Sequence, residues 1–180
     1  VGALYLREGV ELVAQIDGGS HEGGVRAGTE NVPGIVGFGR ACALATRSVH
    51  ADEYRRVARL RDRLEAGILA LAPGARVNGD RAARTPNTSN ISLPDVRGES
   101  LGLRLDRQGL RFSSGSACKS GNPNPSHVLL AIGLDETRAH GAIRLSLGLS
   151  TSDADVDYAL AAFGRVLGGS RDEVRFVGCR

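Results

Sequence analysis

At 180 residues, 41% of them hydrophobic and 24% charged, the chain is sized for one domain or slightly more and is too apolar to be disordered. Its net charge of +3 is too small and too scattered for a nucleic-acid surface, and no apolar run approaches the ~18 residues that a membrane span needs. No charged-then-apolar leader opens the sequence, so the expected compartment is the cytoplasm.

Residues 2–6 and 10–16 read as strands, the second alternating Val10, Leu12, Ala14 and Ile16 with polar partners. A glycine-rich stretch follows at 18–24. Pro33 suits the first position of a helix running to about residue 47. A second helix fills about 51–72. Val57, Leu60, Leu64, Ile68 and Leu71 share one of its faces, arginines take the other, and Pro73-Gly74 ends it. It is long enough to bridge two lobes. Beyond it the elements shorten, with strands expected at about 75–79, 88–93, 110–113 and 142–147. Helices are expected at about 98–108, 125–132 and 153–167. Gly109 ends the first, Asn124, Pro125 and Gly133 bracket the second, and Thr151-Ser152 precede the third. Nothing repeats internally, and the pattern is α/β with a small α+β lobe from about residue 75. Two strands and a loop are too few to close a sheet. Residues 1–50 are therefore expected to be the end of a larger sheet, while the opening at Val1 rather than methionine reads either as an unusual start codon or as part of a longer chain.

Cys42, Cys118 and Cys179 are odd in number and far apart, which suits neither a disulfide framework nor a zinc site. His21-Glu22 begins like H-E-x-x-H, but Val25 stands where the second histidine would be, and no metal is expected. Cys118 is a different case. Serines, glycines and prolines between Ser113 and Pro125 surround it, and Lys119 beside it is the single lysine among 23 basic residues. An adjacent cation lowers a thiol's pKa and makes the thiolate available as a nucleophile. The competing reading is a buried structural thiol, the commoner fate of a free cysteine. Cys42, on a helix face with Ile35, Phe38 and Leu44, reads as packing, and Cys179 as incidental.

The run Ser113-Ser114-Gly115-Ser116-Ala117-Cys118, followed by 125–129 (PSHVL) and 143–148 (IRLSLG), resembles a cysteine desulfurase of the NifS/IscS type. Residues 18–39, GGSHEGGVRAGTENVPGIVGFG, resemble a second signature of that family, in the same order and spacing. The resemblance covers essentially the whole chain, and the long segment after the cysteine is more like the NifS/IscS group than the SufS group. It implies the C-terminal part of a fold-type I PLP-dependent transferase. Residues 1–50 would be the remnant of the large PLP-binding domain, 51–74 a bridging helix, and 75–180 a small α+β domain carrying the cysteine loop.

The same resemblance implies a cytoplasmic homodimer that uses pyridoxal 5'-phosphate (PLP) as electron sink to turn L-cysteine into L-alanine. Cys118 would receive the sulfur as a persulfide and pass it to an acceptor protein such as an iron–sulfur scaffold. Arg144 would bind the substrate carboxylate, and Thr29 the PLP phosphate of the other subunit. Glu22 and Arg26 match family positions without an assigned role, and Ser20 stands where a third glycine is usual. No membrane or direct nucleic-acid partner is implied. The family's cofactor lysine precedes the strand at which this chain opens, and Lys119 beside the nucleophile is a poor substitute. The chain is therefore expected to be inactive alone. The alternatives are the complementing half of a split desulfurase, a non-catalytic persulfide carrier, and another class V aminotransferase-like enzyme.

Overall fold

The computed structural model describes residues 1–114 and 124–173, the side chains of 50 and 169–173 excepted. The chain divides into two compact units, Val1–Ala51 and Asp52–Arg180.

In the first unit, residues 1–20 form no strand. Residues 2–6 and 10–16 have no ladder partner among the described residues, and a lone strand leaves its backbone donors and acceptors to water. Tyr5 and Val13 are accordingly 87% and 83% exposed. The glycine-rich stretch winds into one 3-10 turn, His21–Gly24, in which Glu22, Gly23 and Gly24 all take positive φ. Helix α1, Val32–His50, follows with Asn31 as its cap, the side chain accepting from the Gly34 N–H at 3.1 Å. Cys42 is exposed on it, as are Ile35, Phe38 and Leu44. The packing role expected for Cys42 is not seen, because nothing in this unit covers that face.

The second unit begins at Asp52, whose left-handed backbone (φ 57°) separates α1 from α2, Glu53–Leu71. Val57, Leu60, Leu64 and Ile68 recur at helical spacing and are all buried. The remaining elements are β1 (Arg76–Val77), β2 (Thr88–Ser92), α3 (Gly98–Asp106), β3 (Ser113–Ser114), α4 (His127–Ala131), α5 (Glu136–His140), β4 (Ala142–Ser146) and α6 (Asp153–Glu173). The four strands make one antiparallel sheet in the order β1-β2-β4-β3. Strand side chains alternate between faces, so Ile91, Ile143 and Leu145 meet Leu101, Leu105 and Phe163 in one core with the α2 stripe. The other face carries Arg76, Thr88, Asn90, Ser92, Arg144, Ser146 and Ser113 and is polar except at Ala142, which packs with Leu129 and Ala139 of the short helices.

Helix α4 starts at His127, not at the expected Pro125, because its cap Ser126 is still extended. Helix α5 was not expected. It is five residues long, too short for a periodic signal, and Asp135 caps it by accepting from the Arg138 N–H at 2.8 Å. It leads into Gly141, which passes hard against β2. A Cβ there would overlap the Leu93 carbonyl oxygen and lie 3.0 Å from that of Val96. Backbone cannot yield as a flexible side chain does, so Gly141→Ala is expected to destabilise this unit by about 1–3 kcal/mol. A urea melt checks it, and an unchanged midpoint would contradict the tight crossing.

Candidate functional site

Arg144 sits in the middle of β4 on the polar face, with its side chain exposed. The register places Asn90 of β2 opposite it on one side and Ser113 of β3 on the other. Its Nη2 donates to Ser113 Oγ at 3.2 Å. A guanidinium is a planar fork that suits a carboxylate by two parallel bonds, and one prong here is steadied from β3. Ser114 is the last described residue before 115–123, so Cys118 and Lys119 lie outside the described residues, as does Cys179.

Thr29 belongs to the first unit. It is exposed, two residues before the α1 cap, on a loop that closes tightly upon itself. A Cβ on Gly18 would stand 3.0 Å from that of the buried Ala27, which explains a glycine where the chain must come this close. His21 and Glu30 face each other at 4.0 Å across the same loop. Ser20 precedes the 3-10 turn without a side-chain cap bond, and the exposed Glu22 and Arg26 engage no ion-pair partner among the described residues.

The donors described here suit only the edge of a PLP molecule. The exposed Thr29 hydroxyl, two residues ahead of the α1 cap, would be the group in this unit to hold a phosphate. No lysine occurs among the described residues. An open pocket of about 350 Å³ in the second unit is lined by Ser92, Leu93, Asp95, Asp135, Thr137 and Arg138 among others. Its Asp135 caps α5 and faces Arg138 Nε at 3.5 Å, so these two charges are committed to each other. These residues do not make a complete PLP site. Among the described residues no group of three His, Cys, Asp or Glu side chains converges on a metal position, and no helix is long and apolar enough to cross a membrane.

A buried charge cluster on the core side escaped the sequence reading. Glu65 of α2 is fully buried, accepts from Arg84 Nη1 at 2.7 Å and Ser89 Oγ at 2.7 Å, and forms an ion pair with Arg81 Nη2 at 2.8 Å. Burial pushes its carboxyl up. The hydrogen bonds from Arg84 and Ser89 and the charges of Arg84 and Arg81 together outweigh that and hold it below the usual carboxylate range. Arg84 is held above its usual value, chiefly by the hydrogen bond to Glu65. Asp155 is lowered by the backbone and hydroxyl donors of Ser152, with which it forms a reciprocal cap at the start of α6.

A small antiparallel sheet backed by helices, with Arg144 exposed on the face away from the main core, makes the second unit an α/β fold. The chain belongs to the aminotransferase class-V family, whose model matches residues 8–159. Cysteine desulfurases are among its relatives there. It is 47% identical over 172 residues to the cysteine desulfurase of Gluconacetobacter diazotrophicus, covering 96% of this chain and 43% of that one. It is 51% identical over 160 residues to that of Cereibacter sphaeroides, covering 89% and 40%. A solved NifS-like protein superposes with a TM-score of 0.81 at 35% identity, over 92% of this chain and 41% of the other. The chain thus spans about two-fifths of the length of these relatives.

Proposed function

We propose that this chain is the C-terminal portion of a PLP-dependent cysteine desulfurase. Residues 1–50 close the large domain, 51–74 form the connecting helix, and 75–180 form the small domain. The observation that carries the reading is the register of β3 on β4. It ties Arg144 to Ser113, five residues before Cys118 in the sequence, and this reaction needs both a carboxylate-binding fork and a nucleophilic thiol. The exposed Tyr5 and Val13 support the larger sheet, since apolar surface of this kind is normally covered.

In this reading Arg144 holds the carboxylate of L-cysteine and Thr29 contributes to a phosphate site. Cys118 takes the sulfur: L-cysteine and the Cys118 thiol become L-alanine and a Cys118 persulfide, with no atom left over. The persulfide then passes to an acceptor protein such as an iron–sulfur scaffold. The working assembly is a cytoplasmic homodimer. The cofactor lysine and the slot for the ring are contributed from outside this chain, because its one lysine, Lys119, adjoins the nucleophile. That same observation favours a second reading, a split enzyme or persulfide carrier that borrows its sulfur from another polypeptide.

The purified chain with PLP and L-cysteine is expected to release no alanine. Adding the remaining N-terminal portion of a curated relative is expected to start alanine release. Turnover by the chain alone would overturn the assignment of the cofactor site, and no turnover from the mixture would overturn the complementation.

A further inference from the structure

The hydrogen bonds on the polar sheet face form a chain whose direction is fixed at one end. The backbone carbonyl of Arg138 only accepts, so the Ser92 hydroxyl, 2.9 Å away, donates to it. The Ser92 oxygen is left to accept, and Asn78 Nδ2 donates to it at 2.8 Å. This settles the Asn78 amide, whose other N–H goes to Asn90 Oδ1 at 2.6 Å. The Asn78 backbone N–H also donates to the Asn90 carbonyl at 2.8 Å, pinning the donor in place. Three bonds therefore fix which way the Asn90 amide faces. Its oxygen is held on the β1 side of β2. Since β1 and β4 flank β2 on opposite sides, its nitrogen faces away from β1, leaving it free to serve the β4 side.

The residue directly opposite Asn90 on β4 is Arg144, and side chains so paired on one face stand about 4.5–5.5 Å apart at Cβ. An amide nitrogen and a guanidinium cannot bond each other, because both are donors. Among the described residues the Asn90 nitrogen meets no acceptor, and Arg144 meets only Ser113 Oγ. Two sets of unspent donors thus lie side by side, one charged and one neutral and pre-oriented.

We infer that Asn90 is the second donor of the Arg144 site, binding the α-carboxylate of a small L-amino acid, and that Asn78 is the residue that positions it. The inference rests on the reading of Arg144 as the carboxylate arginine and adds the residue that shares the load. Asn90 donates through Nδ2 to one carboxylate oxygen while the guanidinium holds the other. Ser92 and Asn78 keep the amide from flipping and offering its repulsive carbonyl oxygen instead.

The test is a ¹⁵N NMR titration of the 180-residue chain with L-alanine, with L-alaninamide as the probe lacking a carboxylate. L-Alanine is expected to shift the Asn90 side-chain amide and Arg144 Nε signals along one saturation curve, and L-alaninamide to shift neither. Asn90→Asp is expected to weaken binding by about tenfold or more, as for loss of a charge-assisted hydrogen bond. Asn78→Asp places an acceptor where Asn78 donates, which turns the Asn90 amide around, so it is expected to weaken binding more than Asn78→Ala. A merely structural role would make the two Asn78 variants alike. Arg144→Gln is expected to abolish the shifts. If L-alanine moves Arg144 but not Asn90, or the two Asn78 variants bind equally, the inference falls and the carboxylate reading of Arg144 stands. If L-alanine moves neither signal, that reading falls and takes the inference with it.

Discussion

Glu65→Ala is expected to cost the second unit about 3–5 kcal/mol, the usual penalty for removing one partner from a buried ion pair. Glu65 lies on the buried face of α2 between Arg61 and Ile68, where a hydrophobic residue would be unremarkable. Its carboxylate instead anchors Arg84 by both Nη atoms, at 2.7 and 3.3 Å, and Arg81 by one. These bonds hold the irregular segment 79–86 against the helix, with Arg61 adding a bond to the Thr85 carbonyl at 3.0 Å. Arg84 is only 14% exposed, and its Nε already lacks a partner. Truncating Glu65 leaves that charge only its 3.3 Å bond to Asp62 Oδ1, where water reaches it poorly.

The pH dependence follows from the direction of the shift. A carboxyl held below its unfolded value contributes stability that is complete above the ordinary range near pH 4.3 and drains as pH falls through the lower folded value. Wild-type protein is therefore expected to lose stability across that acid window. Glu65→Gln, which keeps an acceptor oxygen but has no charge to titrate, is expected to start less stable and lose less over the same interval. Urea midpoints at a series of pH values check both. Parallel curves for the two proteins would remove Glu65 as the source, since Asp155, also held low, titrates in both.

This cluster shows where the sequence stops being legible. The apolar stripes of α2 and α6 and the strands at 88–92 and 142–146 could be read directly, because burial repeats at the period of the element. The β4 arginine and the cysteine were singled out through the resemblance of their flanking motifs, and Cys118 lies outside the described residues. Glu65 was not. A lone carboxylate inside an apolar stripe means nothing until Arg81, Arg84 and Ser89, distant in sequence, are folded onto it. The pairing of Asn90 with Arg144 is hidden for the same reason: it exists only through a strand register between segments more than fifty residues apart. Residues 2–6 and 10–16 failed in the opposite direction. Their alternation is genuine strand chemistry, but alternation specifies a face and not a partner, and none is present among the described residues.

Cys118→Ser is expected to abolish sulfur uptake almost completely, and Cys42 supplies the internal comparison. Offered glutathione persulfide, a thiolate takes the outer sulfur and releases glutathione, so the reaction balances without a cofactor. Cys42 is exposed, but it lies between Ala41 and Ala43 on a helix. Cys118 is followed by Lys119, and a neighbouring ammonium is a recognised means of lowering a thiol's pKa. Mass spectrometry of the digested chain is therefore expected to find the added sulfur on the Cys118 peptide. Cys42→Ser is expected to leave that uptake unchanged. Equal loading of both cysteines would mean that the flanking residues confer no reactivity, which would sink the nucleophile assignment. The same variant separates the two functional readings once an N-terminal portion is supplied with L-cysteine. A desulfurase whose nucleophile is Cys118 stops releasing alanine when that thiol is lost, because the sulfur has nowhere to go. A carrier leaves alanine release intact, and only the onward delivery of sulfur ceases.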